Sequence, residues 1–88
     1  MKRLVNVQEV ENDGLVKLMG ERVQLWCMNY IYTGKLTGVN EHDVVLEDAG
    51  VVYETGELTA AAFKDVQKIK HKELFVRTAA IESYTLAP

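Results

Sequence analysis

From Arg22 onward the chain alternates between segments dominated by β-branched and aromatic residues and polar or glycine-bearing stretches. That pattern predicts strands over residues 22–33, 34–40, 43–54, 68–78 and 80–86. Val, Ile, Thr, Tyr, Phe and Trp supply 28 of the 88 residues, and the only proline is Pro88, so no predicted strand loses a ladder donor internally. Five short strands in succession describe a meander. Gly34 and Gly38 fall inside the extended pattern, where glycine marks a bend or a close backbone approach. The fold class expected is therefore mainly β, a five-stranded, strongly bent small barrel. Two helical segments complete it. Asp13 as N-cap, the apolar Leu15, Val16, Leu18 and Met19, and Gly20 as stop predict a short N-terminal helix. Leu58, Ala62, Phe63, Val66 and Ile69 recur at helical spacing, and with the alanines at 60–62 they predict a short helical insertion before the fourth strand.

The length of 88 residues allows one domain, residues 1–88, since a chain this short cannot be divided between two cores. With 48% hydrophobic and 26% charged residues, it has the means to fold. The longest uncharged run, Val23–Gly34, has 12 residues, short of the roughly 20 that cross a bilayer, and includes Gln24 and Asn29, so no membrane helix is expected. The start reaches Glu9 before any long apolar run and has no small-residue cleavage site, which makes a cytoplasmic location the expectation. Cys27 is the only cysteine and His42 and His71 the only histidines, too few ligands for a disulfide, a structural zinc site or another metal centre. No cofactor is expected.

The net charge of −3 argues against general coating of nucleic acid, but it conceals blocks. Residues 1–40 carry +1, residues 41–57 carry −6 with no basic side chain, and residues 58–88 carry +2. Lys64, Lys68, Lys70, His71 and Lys72 form the densest basic segment, able to meet phosphates but flanked by Asp65 and Glu73. Trp26, Tyr30 and Tyr32 share one strand parity and could stack on bases or fill a core or subunit interface. Cys27 and Met28 read as packing residues. Glu47 and Asp48 are adjacent, so on a regular strand they point to opposite faces and cannot work as an acid/base pair. Asn40, Glu41, His42 and Asp43 read as a tight polar turn between two strands. Neither a nucleophile elbow nor a phosphate loop occurs, so an enzyme is not expected.

Gly20-Glu-Arg-Val-Gln-Leu25, Tyr32-Thr-Gly-Lys-Leu36, Gly38-Val-Asn40 and Val44-Val-Leu-Glu-Asp-Ala49 together resemble the first motif of the Sm/LSm family. Leu74-Phe-Val-Arg77-Thr-Ala-Ala-Ile81 resembles its second motif, and the two cover about residues 13–86. The resemblance implies an Sm-like barrel whose fourth strand pairs with the fifth strand of a neighbour to close a homo-oligomeric ring. Phe75, Val76, Ile81 and Tyr84 would then lie at the subunit interface. It also implies single-stranded, uridine-rich RNA at the pore. Asn40 matches the family's usual Asp, His42 the base-stacking position, Asp43 the Asn that reads the base edge, and Arg77 the bracing Arg.

The match has departures. An ionised Asp43 only accepts hydrogen bonds, so the donor of an Asn amide is lost and a negative charge is added beside phosphates. Thr78 stands where the family has a glycine, and the segment 50–74 exceeds a tight hairpin. Two functions stay open: a ring that binds single-stranded RNA through Asn40, His42, Asp43 and Arg77, and a structural or adaptor ring that makes protein contacts without RNA.

Overall fold

The computed structural model describes residues 14–88, so the expected N-cap Asp13 lies outside the described residues. The N-terminal helix is a single 3₁₀ turn, Gly14–Leu18, which sets Leu15 and Leu18 three residues apart against the core. Gly20, at φ 87°, ends it as expected, and its N–H donates to the Leu36 carbonyl at 2.8 Å.

Six antiparallel strands follow: β1 Arg22–Cys27, β2 Ile31–Val39, β3 Asp43–Glu54, β4 Asp65–Lys68, β5 Glu73–Arg77 and β6 Ile81–Leu86. The sheet runs β4-β3-β2-β1-β6, and β5 also pairs with β3. β3 holds β2 along one edge; along the other it holds β5 opposite residues 43–47 and β4 opposite residues 50–54. β4 and β5 thus lie in succession on one edge, so that the bent five-stranded arrangement survives with its fourth strand interrupted at Ile69–Lys72. Between β5 and β6 the chain makes a 3₁₀ turn, Thr78–Ala80.

Two expectations are corrected. The first hairpin turns at Met28–Tyr30, closed by the Cys27 N–H on the Tyr30 carbonyl at 3.0 Å, so the break expected between residues 33 and 34 does not occur and Gly34 lies inside β2. The helical insertion expected between Gly56 and Ile69 is instead a loop followed by β4. A helix there would need an apolar face to bury, yet Leu58 is 77% exposed, while the second half of β3 offers unpaired backbone that Asp65–Lys68 satisfies. Tertiary pairing overrides the alanine propensity.

The core is Val23 and Leu25 of β1, Leu36 of β2, Val44, Leu46 and Ala49 of β3, and Val76 of β5. The bend at Gly34 is a packing requirement: a Cβ there would lie 3.0 Å from the Glu47 carbonyl oxygen and 3.1 Å from Ala49 Cα. Opposite it, β3 carries one extra residue, because Thr33 pairs with Gly50 while Lys35 pairs with Glu47.

Candidate functional site

One end of the sheet gathers the residues that the sequence singles out. Asn40-Glu41-His42 forms the β2–β3 turn, fastened by the Asn40 N–H donating to the Asp43 carbonyl at 2.9 Å. On the other edge of β3, Asp43 stands directly opposite Arg77, so their side chains share a face. The Thr78 N–H donates to the His42 carbonyl at 2.8 Å and locks the end of β5 onto the turn. Asn40, His42, Asp43 and Arg77 are therefore neighbours although 37 positions separate the first from the last.

The His42 ring is 78% exposed, with its Nε2 3.5 Å from the Glu41 carboxylate. It is free to receive a planar ligand. Asn40 and Arg77 are exposed and Asp43 is half-buried. Arg77 is extended, at φ −65° and ψ 126°, and the 3₁₀ turn that follows has no residue at positive φ. Thr78 therefore replaces glycine without strain; its hydroxyl is buried with no hydrogen-bond partner among the described residues.

The four expected interface residues divide. On β5, Phe75 points outward and is 59% exposed, whereas Val76 points inward, 5% exposed, opposite Val44 in the core. Any share of Val76 in an interface would come from its backbone. On β6, Ile81 packs against the core, and Tyr84 stands opposite the fully buried Leu25 yet is 40% exposed. Leu86, opposite the fully buried Val23, is 49% exposed. With these two inward-facing residues open to solvent, nothing among the described residues covers the barrel on this side. Among the described residues no strand pairs with the second edge of β5 or of β6.

The remaining sequence candidates disperse. Trp26 pairs with Ile31 while Tyr32 pairs with Leu25, so the turn at 28–30 breaks their common parity and puts Trp26 and Tyr32 on opposite faces. Trp26 Nε1 donates to Gln24 Oε1 at 2.8 Å, and the Tyr30 and Tyr32 rings meet at 6.2 Å. Lys64 pairs with Glu54 at 3.6 Å and Lys68 with Asp48 at 2.7 Å. The Cys27 thiol is pushed up by burial and then by the nearby Glu82 carboxylate. Burial likewise raises the Tyr32 phenol, with smaller contributions from Cys27 and Tyr30.

Two features escape sequence reasoning. Asp48 is the extra residue of the β3 bulge, at φ 50°; Lys68 and Arg22 both donate to its carboxylate, at 2.7 and 3.0 Å. The hydrogen bond and charge of Lys68, then Arg22, hold that carboxyl below its ordinary range. The burial pattern records the same bulge, since Leu46 and Ala49 both lie fully buried in one core although three positions apart, an odd spacing that a regular strand cannot place on one face. The second feature is a groove of about 280 Å³ beside β5, lined by Met28, Tyr30, Tyr32, Phe75 and Arg77 among others. In sequence Met28 reads as a packing residue, and Tyr30 as an aromatic that shares a strand with Trp26 and Tyr32 and stacks on bases or fills a core or interface, so the hairpin that delivers both to the groove was not visible there.

No model of a known protein family matches the sequence. No curated protein matches it either. A solved structure does: the crystal structure of a heptameric archaeal Sm protein superimposes with a TM-score of 0.63, covering 84% of this chain and 96% of that one at 20% identity. The fold is Sm-like.

Proposed function

We propose that the chain assembles head to tail into a homo-oligomeric ring, the free edge of β5 pairing with the free edge of β6 in the next copy, and that the ring holds single-stranded, uridine-rich RNA where His42 meets Arg77. The observation that carries this reading is the closure of the β2–β3 turn onto β5: Asp43 opposite Arg77, the Thr78 N–H on the His42 carbonyl, and the His42 ring outward. A ring is supported by the two unpaired edges and by the half-exposed Tyr84 and Leu86, which a neighbour's strand would cover. At the RNA site His42 supplies a stacking face, Asn40 an amide that donates and accepts, and Arg77 a cation for phosphate. Asp43 accepts only and offsets part of the charge of Arg77, so affinity is weak, low micromolar at best.

Asp43 also favours a second reading, an adaptor ring that makes protein contacts without RNA, in keeping with the net charge of −3. A salt-controlled oligouridine titration separates the two. Arg77→Ala should lower both the affinity and the salt slope, whereas His42→Ala should cost about 1–3 kcal/mol per stacked base and leave the slope unchanged. Asp43→Asn should strengthen binding, because it restores a donor and removes a like-charge repulsion. If neither wild type nor Asp43→Asn binds oligouridine at about 50 mM salt, where phosphate contacts are strongest, the adaptor reading replaces the RNA reading.

A further inference from the structure

Along β3 from the His42–Arg77 end, the bulge at Asp48 opens a cleft of about 450 Å³, lined by Arg22, Lys35, Glu47, Asp48, Lys70 and Lys72 among others. Its charges divide into spent and unspent. Arg22 directs both terminal nitrogens at Asp48, and Lys68 takes the other carboxylate oxygen at 2.7 Å, so both cations are committed to this one carboxylate and the trio keeps a net positive charge. Lys35, on the exposed face of β2, and Lys70 and Lys72, in the turn between β4 and β5, have no ion-pair or hydrogen-bond partner for their side chains among the described residues. Glu47 stands opposite Lys35 on one side and opposite Glu73 on the other, which bounds the patch in the β5 direction. A chain of net charge −3 thus concentrates Lys70 and Lys72, Lys35, which faces Glu47 across the ladder without an ion pair among the described residues, and the exposed His71 around one opening. From Asp43 to Asp48 is five residues of strand, about 16 Å at roughly 3.3 Å per residue.

We infer that this cleft is a second contact for RNA, taking the phosphodiester backbone of the strand as it leaves the His42–Arg77 end; the inference rests on the RNA reading of that end. Charge and spacing favour a polyanion over a free anion. Three solvated lysines on two separate elements hold one isolated phosphate weakly, but each phosphate of a tethered strand is presented at high effective concentration once its neighbour is bound.

The test is fluorescence titration of wild type and of the triple variant Lys35→Gln/Lys70→Gln/Lys72→Gln with two oligouridines, of about six and about twenty nucleotides, across a salt series. Wild type should bind the longer RNA more tightly and with the steeper salt dependence. The triple variant should lose about tenfold or more in affinity for the longer RNA and up to about two units of log–log salt slope, at roughly 0.7 per phosphate contact, while its binding of the short RNA is unchanged. The corresponding triple Lys→Arg variant should keep wild-type behaviour, and circular dichroism and light scattering should give one fold and one assembly for all three proteins. Wild-type affinity and slope for the longer RNA in the Gln variant would overturn the proposal. So would capture of a polyglutamate peptide by wild type and not by the Gln variant with RNA binding unaffected, which would assign the cleft to an acidic protein. Failure of the short RNA to bind while the longer one still binds through the three lysines would refute the His42–Arg77 reading and leave the cleft standing.

Discussion

Gly50 of β3 and Val66 of β4 offer a direct test of the strand that replaces the expected helix. A Cβ on Gly50 would lie 2.7 Å from Val66 Cγ1 and 3.1 Å from the Gln67 carbonyl oxygen, closer than carbon atoms tolerate, although the backbone at Gly50 is one that alanine adopts freely. Gly50→Ala should therefore gain about 0.4–1 kcal/mol by restricting the unfolded chain and lose about 1–3 kcal/mol by overpacking, a net destabilisation of about 1–2 kcal/mol. Val66 is half-buried, so Val66→Ala, removing two methyl groups from partial cover, should cost about 1 kcal/mol. In the double variant the offending methyl is gone and only the Gln67 carbonyl remains close. Gly50→Ala should then be nearly neutral, a coupling of about 1 kcal/mol in favour of the pair. Urea unfolding of the four proteins at one fixed protomer concentration, which keeps any linkage to assembly constant, measures the cycle. Additive costs within about 0.5 kcal/mol would refute the contact and with it the β3–β4 pairing.

Phe75→Asp places a charge on the outward face of β5 without touching the core, so light scattering should show a smaller assembly while circular dichroism keeps its β signature; an unchanged mass would move the interface elsewhere. The Asp48 carboxyl is held low by Lys68 and Arg22, so its contribution to stability is present above the unfolded pKa and disappears as pH falls through the lowered folded value. Since Asn tolerates positive φ as Asp does, the melting-temperature gap between wild type and Asp48→Asn should narrow between about pH 7 and about pH 3; a constant gap would show that the charge contributes nothing. With its thiol pushed up by burial and by Glu82, Cys27 should alkylate with iodoacetamide more slowly than a free cysteine at mildly alkaline pH, and labelling at the model-thiol rate would contradict its packing.

The parts of the fold that were legible in sequence are those governed by local pattern. β3 matches the expected 43–54 to the residue because its apolar run is bounded by a polar turn on one side and a glycine-bearing stretch on the other. β6 and the glycine stop at Gly20 follow for similar reasons. The failures are non-local. Nothing within residues 56–69 announces that the outer half of β3 lacks a partner, so helical spacing and three alanines point to the wrong structure. The turn at Met28–Tyr30 contains only one good turn former, Asn29, and was hidden between two strands of the same composition. At the candidate site, Asn40, His42 and Asp43 were visible as a turn, but their meeting with Arg77 depends on β5 returning along the far edge of β3, which a single sequence cannot show without the Sm/LSm resemblance.

The charge blocks gain a structural meaning once the register is known. Residues 41–57, with −6, supply the carboxylates of β3, and residues 58–88, with +2, supply the cations of β4, β5 and the loop before them. Asp43 stands opposite Arg77, Asp48 accepts from Lys68, and Glu54 pairs with Lys64, so unlike charges meet at three places along the same edge of β3. Each exposed pair contributes little to stability. Their value is positional, because a slip of β5 by one residue would turn its apolar side chains to the other face of the sheet and break the match of Asp43 to Arg77. The acidic block is thus read within the chain as a pairing partner, and net charge alone is a poor guide to what this protein binds. Lys70 and Lys72, which meet no carboxylate across this edge, and Lys35 on β2, which faces Glu47 without an ion pair among the described residues, are the cations left over for a ligand.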